Sequence, residues 1–101
     1  EARGLDATPP IQRKLESAGD AAGARLLDII LRDEVGHVGL GDRWFRFLCA
    51  ARGLDPARTF RDLILRHEAP WPQGVLNREA RMAAGFPADE LDALTAGPPP
   101  R

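Results

Sequence analysis

Glu34 and His37 stand three residues apart in the run LLDIILRDEVGHVGLGDRWFRFLC, which extends from Leu26 to Cys49. A helix places two such side chains one turn apart on the same side. Leu26, Leu27, Ile30, Leu31, Val38, Trp44, Phe45 and Leu48 form an apolar stripe at helical spacing, and Glu34 and His37 fill its gap between Leu31 and Val38. A carboxylate and an imidazole buried there without partners would cost several kcal/mol. A metal ion would neutralise both. Gly36, Gly39 and Gly41 flank the pair, although each costs about 1 kcal/mol relative to alanine in a helix interior. Close approach of another backbone, or room for a ligand, would outweigh that cost.

Glu1 is the third candidate ligand. From the turn expected at Gly19, a helix reaches the level of Glu34 and His37 after about 23 Å, and Glu1 lies up to about 27 Å back along the preceding helix. An antiparallel hairpin therefore puts Glu1 beside the pair, to within one turn. Two carboxylates and one imidazole suit iron or manganese better than a structural zinc site, which favours cysteine. E-x-x-H alone is a weak motif. The blander reading pairs Glu34 with Arg32 or Arg43 and leaves His37 a satisfied core histidine.

The elements that must position these groups are all helical. EARGLD, residues 1–6, reads as a last helical turn stopped near Gly4, with Thr8-Pro9-Pro10 interrupting any continuation and a short helix over 11–18. Gly19-Asp20 makes a turn, and a long central helix runs from about Ala21 to about Arg52. Asp55-Pro56 starts a helix ending near His67, with Phe60, Leu63 and Ile64 on its buried side. Ala69 to Leu76 is a loop anchored by Trp71; Asn77 caps a short helix stopped by Gly85. Pro87 to Leu94 forms a last helix before the GPPPR tail. Residues 1–54 thus read as a helical hairpin, and 55–101 as a helical extension with a proline-rich tail.

The formal net charge of -1 gives neither a basic excess for nucleic acid nor an acidic tail. No apolar run is long enough to cross a bilayer, and a single cysteine, Cys49, suits a reducing, cytoplasmic setting as a packed core thiol. Glu1 opens the chain mid-helix, as in a partial chain. Several residues read as ordinary: Trp44 and Phe45 as core, Asp33 as a solvated acid, Arg58, Arg61 and Arg66 as a wet face. His67 complements a helix dipole. Arg78 and Arg81 could bind an anion, with helix solvation the simpler account.

EARGLD followed by TP, then RDEVGHV-G-RWF, GLDP, and N-x-x-AR-x-x-AGF resemble the ferritin-like "domain of unknown function 455" family from Glu1 to about Leu94. The resemblance implies a ferritin-like four-helix bundle with a di-metal site, distantly similar to tRNA hydroxylases that use two irons and dioxygen. In such bundles each pair of helices supplies a glutamate and an E-x-x-H. Glu1, Glu34 and His37 match the second pair, and the first has no counterpart here, since His67-Glu68 is wrongly arranged. The chain would then be the second hairpin plus short C-terminal helices, an oxidoreductase or oxygenase by half. A missing N-terminal hairpin would complete the bundle; so would a second copy in a homodimer. The alternatives are a non-catalytic metal-binding module and a plain helical interaction module.

Overall fold

The side chains of Asp20, Asp55 and Asn77 each accept a backbone N–H from three residues ahead, at Gly23, Arg58 and Ala80. These bonds satisfy first-turn donors that a helix cannot satisfy internally, and so mark where three helices begin. The computed structural model describes residues 1–72 and 74–98. Over these the order is α1 (Ala2–Ser17), α2 (Ala21–Ala51), α3 (Pro56–Arg66), α4 (Arg78–Ala84) and α5 (Ala88–Thr95), with no strand. The all-α class and the helix limits at Asp20, Asp55, Asn77 and Gly85 follow the sequence reading. The end of the GPPPR tail lies outside the described residues.

The expected break at Thr8-Pro9-Pro10 does not occur: α1 passes through both prolines. The reason lies in who replaces the missing donor. Pro9 has no N–H for the carbonyl of Leu5, four residues back. That carbonyl instead accepts from the Asn77 Nδ2 at 3.0 Å, while the Thr8 hydroxyl donates to the Gly4 carbonyl at 2.7 Å. Tertiary contact thus holds a helix that local propensity would end.

α1 and α2 form an antiparallel hairpin about Gly19, which takes φ +84°. Near the turn, Gln12 Nε2 donates to the Ala24 carbonyl and the Asp28 carboxylate. Far from it, Leu5 and Val38 meet in the core with Leu76, Ala80, Ala84, Phe86, Leu91 and Leu94. The core is therefore built at one end of the hairpin, where α4 and α5 lie against it. Gly39 permits this closeness, since a Cβ there would stand 3.2 Å from the Ala84 carbonyl oxygen. Phe86 continues the core into an edge-to-face chain with Phe60 and Phe45, each step 6.2 Å between ring centres. Phe60 and Ile64 of α3 are half-buried, but Leu63 is exposed.

The single apolar stripe expected on α2 is in fact two. Leu27, Leu31, Val38 and Phe45 turn toward α1 and α3, and Cys49 is buried as expected. Leu26, Ile30 and Trp44 stand exposed on another face, with Trp44 60% exposed, while the half-exposed Leu48 borders a groove shared with Thr59 and Leu63 of α3. Trp44 is accordingly not a core residue of this chain. The stripe is wider than the contact α1 can make, so one helix covers only part of it.

Candidate metal centre

Glu34 sits on α2 at the border between its two apolar faces and is half-buried; His37 lies in the middle of the open face and is exposed. Neither is turned into the interior built by α1, α4 and α5. Among the described residues no arginine pairs with either. Among the described residues the ion pairs are Arg46–Asp42, Arg46–Glu90, Arg78–Asp92 and Arg81–Asp6, all without Glu34 or His37. Gly36 and Gly41, on either side of His37, have nothing within 4 Å of where a Cβ would stand.

Glu1 precedes α1 and is exposed. It shares a groove of about 460 Å³ with Val38, Gly41, Phe45, Phe60 and His67. Its groove neighbours on α2 begin at Val38, the residue after His37, and continue through Asp42. With no rise lost at the prolines, Glu1 reaches the full ~27 Å from Gly19, which is the level of residue 37. The sequence did not point to His67 as a neighbour of Glu1, because 66 residues separate them and a histidine at a helix end has an ordinary explanation. Among the described residues no three His, Cys, Asp or Glu side chains converge closely enough to hold a metal ion. Glu1, Glu34 and His37 are thus donors of suitable chemistry at similar heights along α2, not a closed site.

The groove's far wall is held by charge. Arg46 donates from Nε to Asp42 at 2.8 Å and from both terminal nitrogens to Glu90, at 3.0 and 2.8 Å. The Glu90 hydrogen bonds, set against desolvation and joined by those to Asp42, hold the guanidinium protonated beyond arginine's ordinary value. This ties the last third of α2 to the start of α5.

A second charged group is more deeply placed. Arg81 is 1% exposed, which overturns its reading as a solvated helix arginine. It donates twice to the Asp6 carboxylate, at 2.9 and 2.6 Å, and lies over the Phe86 ring at 5.4 Å. Asp6 Oδ1 also accepts from the Asn77 backbone N–H at 2.8 Å. The clasp joins the motif EARGLD to the motif N-x-x-AR, so residues that look like a binding set are engaged within the fold. Arg78, by contrast, pairs at the surface with Asp92 at 2.9 Å.

Residues 1–92 match the family model described as "Protein of unknown function (DUF455)". The chain belongs to the DUF455 family. A curated relative, an uncharacterised protein of Haemophilus influenzae (strain ATCC 51907 / DSM 11121 / KW20 / Rd), is 48% identical over 92 residues. That alignment takes in 91% of the DUF455 chain and 32% of the relative, so this chain spans about a third of the relative's length. No solved structure matches it. In this DUF455 chain no described helix is long and apolar enough to cross a membrane.

Proposed function

We propose that this chain contributes half of a di-metal carboxylate centre, with Glu34 and His37 ligating one ion and Glu1 terminal or bridging. The reading takes the fold as the second hairpin of a ferritin-like four-helix bundle, with iron, or alternatively manganese, as the metal. The single observation that carries it is the placement of Glu34 and His37: one turn apart, outside the ion pairs of the described residues, at the border and in the middle of an apolar face that no described element covers. Hard carboxylate oxygens with one imidazole fit these metals. The remaining ligands would come from a second helical hairpin laid on the open face, for which the longer relative has ample length. Two such ions together would supply redox chemistry toward dioxygen, the oxidoreductase or oxygenase class, on a substrate these residues do not specify. The open apolar face also favours a second reading, a helical interaction module in which Glu34 and His37 are a solvated pair.

Calorimetric titration of Mn(II), or of Fe(II) under anaerobic conditions, separates the two. Wild type is expected to bind, and Glu34→Ala/His37→Ala to lose more affinity than the ~10–100-fold typical of residues that merely orient a ligand. Metal uptake and metal-induced thermal stabilisation equal in both proteins would sink the metal-centre reading in favour of the interaction module.

A further inference from the structure

We propose that the pocket between α3, α5 and Trp71 binds a small aromatic acid, one flat ring carrying a single anionic group. The pocket is separate from the candidate metal centre and its occupancy does not depend on that centre. It draws on no residue of α1 or α2, and so makes no claim on the face that a further hairpin would cover.

Its size and walls suit a ring. The pocket holds about 200 Å³. A cavity of about 150 Å³ admits one benzene ring, which leaves room for a carboxylate and little more. Trp71, Phe60 and Phe86 line it, and aromatic rings pack on one another face to face with an offset, or edge to face. The walls are set before any ligand arrives. Trp71 is held by its Nε1–H bond to the Leu94 carbonyl at 3.1 Å, and Phe60 packs edge to face on the buried Phe86. A ligand entering there has little to order, which favours binding even by a small molecule.

The rim supplies the charge. Arg58 and Arg61 stand one turn apart on α3, exposed, and both line the pocket. Neither takes part in an ion pair among the described residues. Two guanidinium groups at this spacing repel one another; an anion between them turns that repulsion into attraction. Their planar forks match a carboxylate. The acids nearest them are engaged elsewhere. Asp55 accepts the Arg58 backbone N–H at 2.9 Å, and Glu90 accepts from Arg46 through both oxygens. Arg66, which sequence grouped with these two, lines a different groove beside Cys49. An ordinary wet helix face does not border a small aromatic cavity; this part of α3 does.

Titration of the full chain with sodium benzoate, followed through the two indole N–H signals in nitrogen-correlated NMR spectra, tests the proposal. Trp44→Phe assigns the signals, and Trp44, away from the pocket, is the internal control. The expected result is a saturable shift of the Trp71 signal with a dissociation constant on the order of 0.1–1 mM, while the Trp44 signal stays in place. Benzamide has the same shape without the charge and should bind roughly tenfold more weakly. Acetate has the charge without the ring and should leave Trp71 unmoved at the same concentrations. Arg58→Gln/Arg61→Gln, both on the surface, should weaken benzoate roughly tenfold and leave benzamide unchanged. Equal affinity of wild type for benzoate and benzamide overturns the proposal, because the arginines would then be idle. Equal movement of both indole signals marks adhesion to the surface, and no saturable movement marks an unused cavity; either overturns it. Loss of binding in a longer DUF455 member that keeps both arginines assigns the pocket to added polypeptide and overturns it as well.

Discussion

Arg81→Ala is expected to destabilise the chain by about 3–5 kcal/mol, the usual consequence of removing one member of a buried ion pair. A domain of this length is stable by only about 5–15 kcal/mol, so the variant would lose about a fifth or more of the total. Three effects combine. Asp6 loses both guanidinium hydrogen bonds, at 2.9 and 2.6 Å, and keeps only the Asn77 N–H. Phe86 loses the cation over its ring. A cavity opens between α1 and α4. Arg81→Lys restores the charge but neither the second N–H nor the flat stacked group, and is expected to recover only part of the loss. Denaturant titration at neutral pH measures both variants. A fall below about 1 kcal/mol for Arg81→Ala would show that the clasp contributes little.

Gly85→Ala is expected to cost about 2–3 kcal/mol, from two sources. Gly85 ends α4 at φ +116°, a backbone conformation that side-chain-bearing residues reach only with strain. An added Cβ would also stand 2.8 Å from Asp42 Oδ2. Asp42 cannot simply rotate away, because Arg46 holds that same oxygen. Gly53→Ala is the matched control: Gly53 also has positive φ, at +67°, but nothing stands within 4 Å of its Cβ position. Its cost is expected near 1–2 kcal/mol, from the backbone alone. Equal losses in the two variants would rule out any contribution from the Asp42 contact.

The contrast between these glycines bears on what the sequence could disclose. Caps are local, so Asp20, Asp55, Asn77 and Gly85 announced the helix limits from residues three or four positions away. The continuity of α1 was not local. The acceptor freed by Pro9 is satisfied by Asn77, 72 residues from Leu5, and no window over residues 1–18 contains that information. The burial of Arg81 was hidden for the same reason, since Asp6 is 75 residues distant. At the candidate centre, the shared side of Glu34 and His37 followed from helical period, and the height of Glu1 from rise per residue. Periodicity says that a face of α2 is apolar, but not which part of it another helix reaches. The division of one stripe into a covered and an open half needed coordinates.

The two tryptophans of the chain end up in opposite surroundings. Trp71 is half-buried beside the core and donates through Nε1 to the Leu94 carbonyl at 3.1 Å, whereas Trp44 stands out on the open face beside Phe47. The molecule therefore carries two built-in optical reporters of separate events. Emission from Trp44 should shift to the blue when anything apolar lands on α2, while that from Trp71 holds steady.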